Sequence, residues 1–303
     1  MALSRRDFLS TSALACGSTL LPMQAPAQTP TPASLTVATV LDRMKQHLGV
    51  PWRTPTVDRL IVGTDNAQVH GIATTMMTTF DVCKRAQAAG ANLLITHEPT
   101  FFKHEDTVDD IRDNSVLQAK QAFLAEHGMA IFRFHDNLHS MHPDGVAKGM
   151  LQQLGWQDYA TTPDLKRLNF NGMPLAQIAN QLASKLHGQS LRVVGDPNLP
   201  IHTAAANWGY SSRESGLATL ADPSVELLLC GEAREWEVVE YAQDAITAGQ
   251  KKALIVINHV LSEQGGMIFV ADWLKSFIPE VPVTFVPTPE PFWRPDASPH
   301  PRT

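Results

Sequence analysis

Four continuous apolar runs constrain this chain more than any other feature: LLIT at 93–96, AIFRF at 130–134, LLLC at 227–230 and LIVI at 254–257. A strand with one wet face alternates apolar and polar residues. These runs do not, so each reads as a strand covered on both sides. Between them lie segments with apolar residues at helical spacing, among them TFDVCKRAQAAG, NSVLQAKQAFLAEHG, DGVAKGMLQQLG and REWEVVEYAQDAITAG. Strands alternating with helices predict an α/β fold of largely parallel or mixed sheets with helices on both faces. Weaker signals add strands at DRLIVG, GIATTMM, LRVVG, IHTAAAN and VPVTFVP. They add helices at LTVATVLDRMKQHLG, PLAQIANQLASKLHG, ESGLATLA and GGMIFVADWLKSF. Asn114 or Ser115 opens one helix, Asp144 is a natural N-cap for another, and Pro174 fits the first turn of a third. Residues 172–222 hold more polar strands and read as an inserted subdomain.

The ends differ from this pattern. Arg5 and Arg6 precede a short apolar stretch that runs into Ala25-Pro26-Ala27. A charged start, an apolar middle and an A-x-A end predict an export signal over residues 1–27, cut after Ala27. The SRRDFL segment resembles the twin-arginine export consensus, so the expected location is the periplasm. Cys16 has poor flanks for lipidation. The apolar stretch is too short and too rich in Ser and Thr to span a membrane. Residues 28–34 read as a linker, 35–286 as the α/β domain, and 287–303 as a Pro-rich tail without period. A net charge of −6 with no basic cluster argues against nucleic-acid binding. Cys83 and Cys230 sit in apolar contexts and read as buried thiols, with a disulfide as the alternative in an oxidising compartment.

Chemistry gathers at strand ends, where ligands bind in open α/β sheets. LLIT runs into His97-Glu98, AIFRF into His135-Asp136 with His139 following, and LIVI through Asn258 into His259 with Glu263 following. His135 and His139 are four residues apart, as are His259 and Glu263. Each pair shares a helix face if the chain turns helical after the strand. Four imidazoles and two or three carboxylates without a thiolate suit Zn, Fe or Mn. Six ligands exceed the needs of one tetrahedral ion, so two divalent ions sharing a bridging carboxylate is the economical reading. Asp136 has a second reading as a turn residue, and Glu232 and Glu235 read equally as acid–base groups or as the acidic opening of a helix. No G-x-S-x-G, P-loop or G-x-G-x-x-G motif occurs.

The segments VDRLIVGTDNAQVHGIATTMMTTFDVCKRAQAAGANLLITHEPTFF, FHDNLHSMHPDGVAKGMLQQLGW and INHVLSEQGGM resemble, in order, three blocks of the Nif-three-like family of dinuclear metal-centre proteins. Some members of that family carry the label GTP cyclohydrolase I type 2. The resemblance implies a two-subdomain α/β fold, a homo-oligomer up to a ring-shaped hexamer, and metal ligands at His97, His135, His259 and Glu263. Two positions depart from the family pattern. Glu98 stands where the pattern has a second His, and His139 stands where it has Asp. The total of four imidazoles and two carboxylates is preserved.

The expected function is therefore a metal-dependent hydrolase acting on a small C–N or ester substrate. His97, Glu98, His135, His139, His259 and Glu263 hold the ions, and Glu98 or Asp136 acts as general base. The alternative is a non-catalytic metal-binding or scaffold oligomer. A redox role at iron lacks any cysteine pattern for a cluster. Export makes GTP an awkward substrate.

Overall fold

A computed structural model describes residues 35–292. The expected export signal, and the linker up to residue 34, lie outside the described residues, as does the tail from residue 293.

Along the first half run α1 (Val37–His47), β1 (Leu60–Val62), β2 (Ile72–Thr75), α2 (Phe80–Ala88), β3 (Leu93–Thr96), α3 (Ser115–Glu126), β4 (Ala130–Arg133), the short turn α4 (Asp136–His139) and α5 (Gly145–Leu154). The second half adds β5 (Arg167–Pro174), α6 (Leu175–Leu186), β6 (Arg192–Val194), β7 (Pro200–Tyr210), α7 (Arg213–Ala221), β8 (Leu227–Glu232), α8 (Glu240–Thr247), β9 (Ala253–Val256), α9 (His259–Lys275) and β10 (Val283–Phe285). Two five-stranded sheets result, ordered β1-β4-β3-β2-β10 and β5-β7-β8-β9-β6. Each has a parallel centre and at least one antiparallel edge strand.

The continuous apolar runs follow from the layering. Alternate side chains of one strand point to opposite faces. Leu93 and Ile95 of β3 enter the large central core, whereas Leu94 packs outward with Val82, Cys83 and Leu117. Leu227 and Leu229 of β8 enter that same central core, whereas Leu228 and Cys230 pack outward with Leu220 and Val238. The inner faces of both sheets thus share one core, filled by α1, α5, α6 and α9, and each outer face has its own helices. Cys83 and Cys230 are free, buried thiols in the two separate outer cores. Burial pushes the Cys230 thiol up to about 12.

Three features depart from the sequence reading. Residues 172–222 form no sheet of their own, because β6 and β7 belong to the second sheet with β8 and β9. Their polarity reflects exposure, since β6 is an edge strand and β7 begins exposed. Strand β5 gives no clear sequence signal. It is an edge strand with one covered face (Leu168 and Phe170), broken by a bulge where Asn171 and Gly172 take positive φ. Helix α9 begins at His259, before the predicted GGMIFVADWLKSF segment, and Gly265 and Gly266 lie inside it. They do not break the helix because α5 crosses there backbone to backbone. A Cβ on Gly149 would lie 2.2 Å from the Gly265 carbonyl oxygen, and one on Gly266 would lie 2.9 Å from Val146 Cα.

No helix among the described residues is long and apolar enough to cross a membrane. The start of the expected tail is anchored. Thr288 is buried against Thr75 and Met77, and Glu290 accepts hydrogen bonds from the backbone of Gln189 and Ser190.

Replacing Gly149 by Val should force α5 and α9 apart. The obstructing atoms are backbone and cannot rotate away, so the loss should reach the upper part of the roughly 1–3 kcal/mol typical of overpacking. Chemical denaturation checks this, and an unchanged midpoint would contradict the close crossing.

Candidate metal centre

The site forms where the carboxyl ends of the two sheets meet. From the first sheet, β3 delivers His97 and Glu98, and β4 delivers His135 through Phe134. The chain then turns into α4, which carries His139 one turn on. Buried Asp58 fixes that turn from a distant segment. Its Oδ1 accepts from the backbone N–H groups of His135 and Asp136, and its Oδ2 accepts from Asn137. From the second sheet, β8 ends at Glu232, and β9 leads through Asn258 into α9. Asn258 has φ 132°, a strained value for a non-glycine residue. Its side chain caps α9 by accepting from Leu261 N. His259 and Glu263 then lie one turn apart at the helix start.

All four imidazoles are held the same way. His97 Nδ1 faces the Phe134 carbonyl oxygen at 3.2 Å. His135 Nδ1 faces Asp136 Oδ1 at 3.0 Å, His139 Nδ1 faces Asp144 Oδ2 at 3.0 Å, and His259 Nδ1 faces Glu232 Oε2 at 2.9 Å. An acceptor at Nδ1 takes the proton there, so that each imidazole in its neutral form keeps its lone pair on Nε2, as metal-ligating histidines require. The free sides converge. The His97 and His135 rings stack at 4.5 Å, and His139 stands edge-on to both, 5.1 and 4.9 Å away. Glu263 lies among them, with Oε1 3.6 Å from His97 Nε2 and 3.8 Å from His139 Nε2. Its Oε2 is 3.1 Å from His259 Nε2, and that nitrogen is also 3.1 Å from Glu98 Oε1.

Two overlapping sets could hold a cation: His97 with His135 and His139, and His97 with Glu98 and Glu263. The donors fit a divalent ion on independent grounds. His97 Nε2 is a buried atom without a hydrogen-bond partner, a costly state that a bound cation would relieve.

The electrostatics agree. Burial disfavours a charged His259, but Glu232, Glu263 and Glu98 outweigh it and lift the imidazole to about 12. Burial opposes ionisation of Glu98, yet His259 and His97 hold its carboxyl down at about 2. Glu263 is held well below the carboxylate range, with His97 and His259 overriding its burial. His135 moves the other way. Burial, then the neighbouring His97 and His139, lower it to about 4. The carboxylates demand positive charge at their centre, and a divalent cation would supply it.

The surroundings are built for this cluster. Arg133, buried within the apolar run of β4, donates from Nε to the His97 carbonyl at 3.3 Å, and its Nη2 lies 3.4 Å from Glu98 Oε2. Gly209 makes room for a ligand. A Cβ there would lie 2.4 Å from Glu263 Oε1, and its φ of +76° also disfavours a side chain. A cavity of 830 Å³ opens beside His259 and Glu232, walled by Met77, Leu191, Val260 and Phe292, with Ser190, Arg192 and Asn258 as polar lining.

Every residue expected from the sequence to hold an ion thus lies in one cluster. Asp136 sits just behind it, with one oxygen on His135 and the other accepting from Val57 N. Glu232 and Glu235, alike in sequence, part company. Glu232 is a strand end that orients His259, whereas Glu235 is on the surface beside Arg192. Asp144 caps α5 as expected, and the same carboxylate holds His139. Asp58 and Arg133 escaped the sequence reading. An arginine inside an apolar strand is a signal for the second. Asp58 had none, since its partners lie about eighty residues away.

The family model for Duf34/NIF3 (NGG1p interacting factor 3) matches residues 58–291. A GTP cyclohydrolase 1 type 2 homolog of Clostridium acetobutylicum is 26% identical over 159 residues, which cover 48% of this chain and 57% of that protein. The chain therefore spans a little over half the length of that curated relative. The crystal structure of Staphylococcus aureus hypothetical protein SA1388 superposes with a TM-score of 0.65 at 18% identity, covering 86% of this chain and 99% of that one. A Bacillus cereus protein related to NIF3 superposes with a TM-score of 0.66 at 13% identity, again covering 86% and 99%. At these identities the structural likeness speaks for the fold.

Metal ligation requires neutral imidazoles. At pH 7 His259, at about 12, keeps its proton in the chelated protein, whereas His135, at about 4, has none. Zinc binding at pH 7 should therefore expel at least about one proton per chain, and apparent affinity should fall as pH falls. Calorimetry in buffers of different ionisation enthalpy reads this directly, and a buffer-independent heat would refute it.

Proposed function

The chain belongs to the Duf34/NIF3 (NGG1p interacting factor 3) family, and from its site we propose that it is a metal-dependent hydrolase holding two divalent ions. The observation that carries the reading is the common orientation of four imidazoles. Each is tied through Nδ1 to an acceptor, and their Nε2 sides surround the carboxylates of Glu98 and Glu263. His97, His135, His139, His259, Glu98 and Glu263 would hold the ions. Bound there, divalent zinc, iron or manganese supplies Lewis-acid polarisation of a carbonyl or imine and raises the acidity of water.

The protein's own groups do the rest. Glu98 is engaged by His259 and Arg133, and Asp136 by His135 and Val57, so ligation and positioning suit them better than proton transfer. Glu232 is half-exposed, lines the cavity and has one oxygen on His259. It is the carboxylate best placed to take a proton from water attacking a substrate in the cavity and return it to the leaving group. The apolar walls suit a small organic body, and the name of the curated relative, a cyclohydrolase homolog, favours a C–N bond in a heterocycle or cyclic amide. Periplasmic export and assembly into a homo-oligomer, up to a hexamer, are further parts of the proposal. They rest on the N-terminal SRRDFL motif and on the sequence resemblance.

Elemental analysis of the purified full-length chain should find about two divalent ions per chain. His259→Ala and Glu263→Ala should each lose metal and hydrolysis of cyclic amides or esters together. Less than about half an ion per chain would sink the dinuclear reading. Full metal content with no turnover across the substrate panel would leave a metal-binding scaffold in its place.

A further inference from the structure

We infer that residues 287–292 form a stiff strap at the cavity, and that Phe292 is a specificity residue that packs on a flat, apolar substrate body. This rests on the hydrolase reading above and adds the shape of the substrate to it: a planar, aromatic-fused cyclic amide or imide.

The segment reads Pro287-Thr288-Pro289-Glu290-Pro291-Phe292. A proline at every second position fixes φ and removes a donor, so the run stays extended and stiff without a neighbouring strand. Exposure alternates in the same way. The three prolines are exposed, Thr288 is buried and Glu290 is half-buried. The residues between the prolines make the attachments. Thr288 ties the run to the first sheet, where its Oγ1 accepts from Met77 N at 3.0 Å and lies 3.1 Å from Thr75 Oγ1. Glu290 ties it to the segment that leads into β6 of the second sheet. Its Oε2 accepts from Gln189 N at 2.7 Å, and its Oε1 accepts from Ser190 N at 2.9 Å and from the Ser190 hydroxyl. Three residues, Thr288 to Glu290, thus join the two sheets.

The strap ends at the chemistry. Pro291 and Phe292 line the 830 Å³ cavity that His259 and Glu232 also line. Phe292 is 63% exposed, and a cavity-lining ring so exposed has surface left for a ligand to cover. Met77, Leu191 and Val260 complete the apolar wall. An aromatic ring gains most from another flat ring, through stacked or edge-on contact, and a thioether adds favourable contact with such a ring. The attachment also reaches the junction that carries His259. The Ser190 hydroxyl donates to Glu290 and accepts from Asn258 Nδ2 at 3.3 Å, and Asn258 is the strained residue that turns the chain into α9. Glu290 is therefore a positioning residue for Phe292, and one hydroxyl links the strap to the start of the helix that holds His259.

The test uses the metal-loaded full-length chain, with phthalimide and succinimide as the probes. Both are cyclic imides, and only phthalimide carries a fused aromatic ring. Calorimetry reads binding, and absorbance reads ring opening. The expected result is tighter binding of phthalimide by the wild-type chain. Phe292→Ala should weaken phthalimide roughly threefold to tenfold and remove most of its preference over succinimide. Glu290→Gln should weaken phthalimide to a similar extent, and the double variant should be no weaker than either single one, because ring and attachment act as a unit. Melting curves establish that each variant folds, and should Glu290→Gln unfold, the exposed Phe292 decides. No binding of phthalimide, no preference for it, or a preference that survives Phe292→Ala would overturn the inference. Additive losses in the double variant would overturn the role of Glu290. A preference lost with Phe292 but no ring opening of either imide would support the strap and overturn the hydrolase reading instead.

Discussion

The crossing of α5 over α9 sets the position of everything else in the centre of this protein. Gly149 on one helix and Gly265 and Gly266 on the other bring the two backbones into direct contact. Helix α9 lies between the two sheets, and its first turn carries His259 and Glu263. A helix held at that depth can place a carboxylate against residues from the far sheet. A larger residue at the crossing would move the axis outward and take His259 and Glu263 with it. The crossing is a packing feature with a chemical consequence.

The second constraint is charge. Glu98, Glu232 and Glu263 surround His259, and two of the three are nearly buried. Buried carboxylates persist when a cation neutralises them. In this chain the protonated imidazole and Arg133 supply some of that charge from the protein itself. A divalent ion fulfils the same role more compactly, because one ion meets several oxygens at once. The surrounding acceptors, Asp136, Asp144, Glu232 and the Phe134 carbonyl, turn every imidazole to present the same nitrogen. Glycine at 209 leaves space for Glu263 where any side chain would collide. Strain at Asn258 fits the same picture, since it sits at the junction that swings His259 into the site.

Elements with local, periodic signals were legible in the sequence. The four apolar runs became central strands because both faces of each sheet are covered. Strand β5 was missed because an edge strand with one exposed face and a bulge carries half the signal. The sequence pattern opens this helix only at Gly265 and Gly266, whereas α9 begins at His259 and carries those glycines inside it for the crossing. The candidate ligands were legible because each follows an apolar strand, and i, i+4 spacing survives at the starts of helices α4 and α9. The groups that hold those ligands were largely hidden. Asp144 looked like a cap and is one, with its second oxygen committed elsewhere. Glu232 looked like a helix opening and is a strand end.

The sequence by itself determined the alternation of strands and helices, the family, and which histidines and carboxylates stand at strand ends. Hydrophobic periodicity and local spacing encode these within a few residues. The tertiary structure alone decided that both sheets contribute to the site, that Glu263 turns one oxygen to each side, and that Asp58, Arg133 and Glu232 stand behind the candidate ligands. Those relations join residues tens to hundreds of positions apart, and no local pattern carries them. The opposed environments of His135 and His259, one held near 4 and the other near 12, arise in the same way, from neighbours that only folding brings together.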